Sequence, residues 1–233
     1  MLVSPKKMAP RSLNPTDNLE ISTPTILVGA DEVGAGCLAG PLVAAAYACL
    51  IPEVTHEELD AVRVFDSKAL SEKVRRKSFE FLRKDTDFQI SALVEVQPEK
   101  IDEINIYQAR MFALSQSVKK VISLWEQKLK NRKLQICIDG PVVPKGLSEF
   151  GDQVIAQSKG DQKFFSVAAA SIIAKEHRDN LMEQLSESFP FYSWDSNVGY
   201  PTVQHKEALH KHGLSPWHRK SFCRFMENSS DSG

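Results

Sequence analysis

Four acidic residues stand where apolar segments end or a helix begins: Asp31, Glu32, Asp139 and Asp161. A carboxylate at the edge of a core needs a compensating partner, and four that converge repel one another unless cations lie among them. Hard divalent ions with oxygen ligands meet this need, so Mg²⁺ or Mn²⁺ suits the set better than zinc. Two such ions about 3.5–4 Å apart activate water and stabilise a leaving oxygen. The acids therefore predict a metal-dependent phosphoryl-transfer enzyme.

Each acid also has a purely structural explanation. Asp31 and Asp139 could simply start turns, and Asp161 could cap the helix that follows it. Asp31 and Glu32 are adjacent, and adjacent residues of a strand point to opposite faces of the sheet. Both reach one site only if the chain bends there, which the glycines at positions 34 and 36 would allow.

The turn Gly34-Ala35-Gly36 follows the first acidic pair and lets backbone N–H groups approach a ligand closely. With Gly40 it also forms a GxGxxxG pattern, which is a weak signal for dinucleotide binding. Pro41 and a β-like run come next, and without a helix N-terminus there is no pyrophosphate cradle of that kind. The residues that follow the glycines therefore argue against a dinucleotide site.

Strands that alternate with helices must position these residues. Apolar runs at 26–31, 42–50, 88–96, 134–138 and 154–157 predict strands, several of them bounded by Gly, Pro or Asp. Helical periodicity predicts helices over residues 71–84, with Ser71 as N-cap, and over 98–125 and 163–185. Shorter helices are predicted over 203–212 and after position 218. This alternation predicts an α/β fold with a mixed sheet.

The charge distribution favours a polyanion as partner more than the net charge of −1 does. Residues 66–84 and 206–224 are rich in Lys and Arg, although solvated helix faces explain such tracts equally well. The four cysteines are far apart in sequence, which argues against a zinc or disulfide framework and favours a reducing cytoplasm. The longest apolar run is too short to cross a bilayer, so no membrane partner is expected.

Several ordered motifs resemble those of the ribonuclease HII family. The first is residues 29–46, GADEVGAGCLAGPLVAAA, and the second is residues 66–71, DSKALS. The next are residues 138–140, IDG, and residues 159–161, KGD, followed by SVAAASIIAK at 166–175. The last are GYPT at 199–202, His205, and HGLSPWHR at 212–219. Together they span roughly residues 26–226 in the family's order.

The resemblance implies a ribonuclease H-like mixed sheet flanked by helices, with a helical C-terminal part. It implies an endonuclease that cuts the RNA strand of RNA–DNA hybrids, or at ribonucleotides embedded in duplex DNA, and leaves 5′-phosphate and 3′-hydroxyl ends. The four acids would bind the metals. Gly34, Ala35, Gly36 and Tyr200 would recognise the 2′-OH, the group that distinguishes RNA from DNA. Lys68, His218 and Arg219 would contact phosphates.

One departure concerns position 35, where the family usually has Arg and this chain has Ala35. The sister family ribonuclease HIII also lacks that Arg, which keeps an HIII-like nuclease as an alternative. A hybrid-binding module without catalysis and a metal nuclease acting on plain DNA are further alternatives. The intact acidic set argues against the binding module.

The sequence predicts the following organisation: a flexible leader over residues 1–24, a ribonuclease H-like catalytic core over 25–190, a C-terminal helical substrate-binding part over 191–226, and a disordered tail over 227–233. The leader and tail are rich in small polar residues, which bury too little apolar surface to order a chain. We expect a monomer in the cytoplasm.

Overall fold

The computed structural model describes residues 12–15, 24–51, 64, 67, 70–130 and 132–229. Most of the leader, most of the 52–69 segment and the final residues of the tail therefore lie outside the described residues. A mixed five-stranded sheet with the order β3-β2-β1-β4-β5 forms the centre of the described chain. The strands are β1 Thr25–Val33, β2 Leu42–Ile51, β3 Gln89–Val96, β4 Lys133–Asp139 and β5 Val154–Gln157. The predicted α/β class is confirmed.

Strand β1 holds the centre of this sheet. It pairs antiparallel with β2, which in turn pairs antiparallel with β3. On its other side it pairs parallel with β4, and β4 pairs parallel with β5. The carboxyl ends of β1 and β4 therefore meet at one edge of the sheet, where ligand sites of such sheets form.

The helices of the described chain are bounded much as the apolar periodicity predicts. They are α1 Glu72–Leu82, α2 Pro98–Ile104, α3 Ile106–Leu124, α4 Glu126–Leu129, α5 Phe165–Ser188, α6 Trp194–Asn197 and α7 Val203–His212. Short 3₁₀ segments cover Lys145–Gln153, Gly160–Gln162, Pro190–Tyr192, Lys220–Phe222 and Arg224–Ser229. None of these helices has the length and apolar character needed to span a bilayer.

The single helix predicted over residues 98–125 is wrong, because the chain breaks it at Asn105. This residue has a φ of 65°, outside the helical range. Its side-chain oxygen accepts the backbone N–H of Gln108, so it caps α3. The break separates the short α2 from the longer α3, which lies against the sheet.

The alternation of side chains along β1 divides the core between the two faces of the sheet. Ile26, Val28 and Ala30 pack with residues of α3 in one buried cluster. Leu27 packs with residues of α5 in a cluster on the opposite face. Successive strand residues point to opposite faces, so the same rule fixes where the acids at the end of β1 must go.

Gly29 allows α5 to lie directly on β1. A Cβ at this position would come within 2.1 Å of the backbone carbonyl carbon of Ser166, a distance that no side chain tolerates. The absent side chain therefore sets the distance between helix and sheet. It brings the first turns of α5 close to β1.

The C-terminal part has its own buried cluster, which includes the fully buried Trp194, Tyr192 and Leu209. Leu38 and Ala39, which follow the glycine turn, belong to the same cluster. The C-terminal part is thus packed onto the loop between β1 and β2. All four cysteines of the chain are buried and free of disulfides.

Candidate active site

A cavity of about 120 Å³ opens where β1 and β4 end. Its walls hold all four acids that the sequence singled out: Asp31, Glu32, Asp139 and Asp161. Ser67, Ser171 and Lys175 complete the lining, with Val33. The parallel pairing of β1 with β4 brings together acids that are far apart along the chain.

Asp31 and Glu32 reach this cavity from opposite faces of the sheet. Strand β1 stays paired with β2 through both residues and on to Val33, so the bend expected from the sequence is absent. Asp31 is 7% exposed and hydrogen-bonds the hydroxyl of Ser171 on α5. Glu32 points the other way and accepts hydrogen bonds from Arg110 on α3. The two carboxylates can share one cavity because it opens at the end of the strand, where both faces are accessible.

Asp139 and Asp161 are linked through the backbone of the loop between β5 and α5. Asp139 is the last residue of β4, and its Oδ1 accepts the backbone N–H of Gly160 at 2.7 Å. Asp161 lies in the 3₁₀ segment beside that glycine. It is not the N-cap of α5, because that position belongs to Phe164. The capping explanation for Asp161 is therefore wrong.

The electrostatics of the cavity favour bound cations. Burial raises the pKa of Asp31 well above its ordinary value, and the charges of Glu32 and Asp139 raise it further. The hydrogen bonds from Ser171 and from the backbone N–H of Glu32 oppose this rise only in part. Positive charge placed among these oxygens would offset both the burial and the repulsion.

The donor set fits hard divalent ions. It consists of carboxylate and hydroxyl oxygens, which are the ligands that Mg²⁺ and Mn²⁺ prefer. Within the described ranges, however, no three acidic, His or Cys side chains already converge as a ready-made metal cage. The carboxylates line one cavity, where Asp31, Glu32 and Asp139 accept hydrogen bonds from protein donors.

The glycine turn lies beside Tyr200. Gly34 has a φ of +88° and leaves no room for a side chain, because its Cβ would lie 2.4 Å from Nε of Arg178. Gly36 is exposed, and a Cβ there would lie 4.0 Å from Cε1 of Tyr200. The Tyr200 side chain is itself 39% exposed. Ala35, between the glycines, is partly buried.

Arg219 lies inside the protein and not on the predicted phosphate-binding surface. Its guanidinium is fully buried and donates to the carbonyl oxygens of Gly40 and Ala35. Arg178, which sequence reasoning missed, is equally buried and donates to the carbonyls of Ala39, Pro41 and Val198. Each arginine donates hydrogen bonds to backbone carbonyls within residues 35–41. Together they stabilise the conformation of the loop that begins with the glycine turn.

His218 is also buried, which differs from the phosphate contact expected for it. Its Nε2 lies 3.0 Å from Nε2 of His205, and its Nδ1 accepts the backbone N–H of Ser215. His205 in turn contacts the carbonyl oxygen of Tyr200 through Nδ1. Lys68 lies outside the described residues, so its predicted phosphate contact stays a prediction.

Several residues of the site carried little or no signal of their own in the sequence. Ser171 and Lys175 belong to the motif at 166–175, and their i, i+4 spacing on α5 places both beside the cavity. Ser67 belongs to the motif at 66–71. Arg110 belongs to none of these motifs. It lies on α3, 78 residues along the chain from Glu32, the residue that it binds.

Comparisons with known proteins agree with the motifs and the fold. The sequence model of the family described as ribonuclease HII matches residues 28–225. A ribonuclease HII from Bacteroides thetaiotaomicron is 41% identical over 197 residues, which cover 84% of this chain and 89% of that protein. The crystal structure of ribonuclease H2 from Pyrococcus horikoshii is 26% identical with a TM-score of 0.65, and covers 89% of this chain and 100% of that one. Bst-RNase HIII in complex with Mn²⁺ shares the fold at 20% identity, with a TM-score of 0.64, over 88% of this chain and 71% of that one.

Proposed function

The chain belongs to the ribonuclease HII family, and we propose that its acidic cavity is where it carries out that family's reaction. The enzyme is a hydrolytic endoribonuclease that acts on RNA–DNA hybrids and depends on divalent metal. The observation that supports this site most strongly is the meeting of four acids from β1, β4 and the turn before α5 in one cavity.

Asp31, Glu32, Asp139 and Asp161 are the residues that would hold the metal, and Mg²⁺ or Mn²⁺ is the ion that the oxygen donors favour. When bound, divalent ions supply an activated water and stabilise the charge on the leaving oxygen. The protein's own contribution is to fix the carboxylates on paired strands and on a hydrogen-bonded turn. Cleavage then leaves 5′-phosphate and 3′-hydroxyl ends.

The glycine turn and Tyr200 recognise the ribonucleotide in this proposal. The backbone of Gly34, Ala35 and Gly36 approaches the RNA strand, because the exposed Gly36 has no side chain to keep a ligand away. The half-exposed ring of Tyr200 stands beside it and offers an apolar face for a sugar. The same surface accepts a single ribonucleotide in duplex DNA, and Lys68 contacts phosphate.

The domain boundaries also remain proposals: a catalytic core over residues 25–190 and a C-terminal part over 191–226 that binds substrate. The C-terminal part carries Tyr200 and is packed against the loop after the glycine turn. We propose that the enzyme acts as a monomer in the cytoplasm on hybrids and on ribonucleotide-containing duplexes.

The decisive experiment compares three labelled duplexes incubated with Mg²⁺ or Mn²⁺: an RNA–DNA hybrid, a DNA duplex with one ribonucleotide, and an all-DNA duplex. We expect cleavage of the first two and none of the third. Asp139→Asn should reduce cleavage by more than about 100-fold, since even supporting residues of a metal site contribute 10–100-fold. The matched control is Asp152→Asn, an exposed acid, which should leave cleavage unchanged. No cleavage of either ribonucleotide-containing duplex, or full activity in Asp139→Asn, would refute the site.

A further inference from the structure

Glu32 is paired with an arginine at the edge of the acidic cavity. Nε of Arg110 donates to Oε1 of Glu32 at 2.7 Å, and Nη2 of the same guanidinium contacts that same oxygen. The Glu32 side chain is only 8% exposed, whereas that of Arg110 is 31% exposed. A nearly buried carboxylate is thus neutralised by a cation that keeps one side in solvent.

Protein donors also hold Asp31 and Asp139. Oδ1 of Asp31 accepts the backbone N–H of Glu32, and Oδ1 of Asp139 accepts that of Gly160, each at 2.7 Å. For Glu32 the donor is a charged side chain, the guanidinium of Arg110. A divalent ion bound to this carboxylate and the guanidinium of Arg110 would repel each other, so Arg110 opposes ion binding at Glu32.

The two partners differ in how easily they can move. The backbone of Glu32 is fixed in β1, where it pairs with Ala44 of β2. Arg110 is attached to α3 by a long flexible side chain whose end is partly in water, so its charge can leave without being buried unpaired. Lys175, whose side chain lines the cavity, is already paired with Asp179 at 2.6 Å.

We propose that Arg110 is a positioning residue that competes with the divalent ion for Glu32. It neutralises and orients the carboxylate until an ion arrives, and the exchange lowers the affinity of the protein for that ion. The proposal rests on the assignment of Glu32 as a metal ligand under the proposed function. It adds a residue that sets how much divalent metal the enzyme needs.

The test is Arg110→Gln, with Mn²⁺ affinity measured by isothermal titration calorimetry on the protein without nucleic acid. Loss of the competing cation should tighten Mn²⁺ binding by about 10-fold, within the usual range of coupling between two binding events. Arg110→Lys keeps a positive charge and should restore most of the wild-type affinity. Saturating Mg²⁺ should also raise the melting temperature of Arg110→Gln more than that of the wild type.

Two controls separate competition from a general change in charge or folding. Arg132→Gln removes an arginine that bonds the carbonyl of Lys128 beside the amino end of β4, far from the cavity, and should not change Mn²⁺ affinity. Glu32→Gln removes the contested carboxylate, so adding Arg110→Gln to it should produce no further tightening. Circular dichroism checks that each variant is folded.

Unchanged or weaker Mn²⁺ binding in Arg110→Gln would overturn the competition, and so would equal tightening in the Glu32→Gln background. A wild type that binds Mn²⁺ and cleaves hybrids, with no shift in Arg110→Gln, refutes this inference alone. A wild type that neither binds Mn²⁺ nor cleaves hybrids refutes the proposed function as well.

Discussion

Asp31 contributes a carboxylate to the acidic cavity but lowers the stability of the folded protein. It is almost completely buried and lies near two other carboxylates, so its ionised form is disfavoured and its pKa is raised. Nothing in packing alone calls for an acid at this position, since the strand around it is apolar. A buried carboxylate that lowers stability is expected at a position where the function of the protein requires it.

Asp31→Asn should therefore stabilise the protein while it abolishes cleavage. The amide keeps the shape of the side chain and removes a buried charge and its repulsion with Glu32 and Asp139. We expect the free energy of unfolding at neutral pH, with a chelator present, to rise by about 1–2 kcal/mol. Urea denaturation measures it, and Asp152→Asn, an exposed acid, serves as the control that should not change stability. A clear loss of stability in Asp31→Asn would show that the charge is compensated in the fold.

Tyr200 is the residue whose removal should change selectivity more than stability. Its ring is partly exposed beside Gly36, so it can contact a sugar or base. Tyr200→Ala should lower the preference for a ribonucleotide-containing duplex over all-DNA by about 10-fold, in keeping with 1–3 kcal/mol per aromatic contact. The ratio of kcat/KM for the two duplexes measures this. The control is Tyr107→Ala, which removes another half-exposed tyrosine and should leave the ratio unchanged. An unchanged ratio in Tyr200→Ala would show that Tyr200 does not recognise the ribonucleotide.

At the scale of elements, the loop between β1 and β2 depends on the C-terminal part of the chain. Arg178 of α5 and Arg219 both reach into it with buried guanidinium groups that donate to its backbone carbonyls. The backbone of Gly199 also accepts N–H groups of Leu38 and Ala39. The glycine turn, a flexible sequence, is thereby held in one conformation.

Arg219→Ala should loosen this loop and destabilise the protein. The carbonyl oxygens of Gly40 and Ala35 would lose their buried donor, and each unsatisfied acceptor costs roughly 1–3 kcal/mol. Urea denaturation should show a loss in this range, and hydrogen exchange should increase in residues 34–41. The matched control is Arg83→Ala, an exposed arginine at the C-cap of α1, which should be nearly neutral. Normal stability with weakened substrate binding would instead support the phosphate contact expected from the sequence.

At the scale of the whole molecule, a buried histidine pair helps hold the C-terminal part together. His205 Nδ1 faces the carbonyl oxygen of Tyr200, so it carries the proton and Nε2 accepts from Trp194. His218 Nδ1 accepts the N–H of Ser215, which leaves its Nε2 to donate to His205. When both rings are neutral, each of the four ring nitrogens therefore takes part in a hydrogen bond. No ring nitrogen is left to accept a further proton without loss of one of these bonds.

This arrangement predicts that acid destabilises the protein. Burial lowers the pKa of both histidines, that of His218 to about 4, below the value of 6.5 for the unfolded chain. Between these values the unfolded chain binds more protons, so the stabilising contribution is complete above about pH 6.5 and is lost as the pH falls toward 4. The urea midpoint should be lower at about pH 5 than at about pH 7.5.

Two variants identify the source of that pH dependence. His218→Gln should lose part of the difference between the two midpoints, even if it is less stable throughout. His212→Gln replaces an exposed histidine and should keep the full difference. An unchanged difference in His218→Gln would exclude the pair as the cause.

Local periodicity and motifs along the chain were sufficient to predict the α/β class, most strand and helix positions and the four acids of the cavity. Long-range packing, in contrast, places Asp31 and Glu32 in one cavity from opposite faces, pairs Arg110 with Glu32 and buries His218 and Arg219. These features depend on contacts between residues far apart in the chain: 78 positions for Arg110 with Glu32 and 179 for Arg219 with Gly40. No local pattern encodes such contacts, since the packing of helices on the sheet sets them.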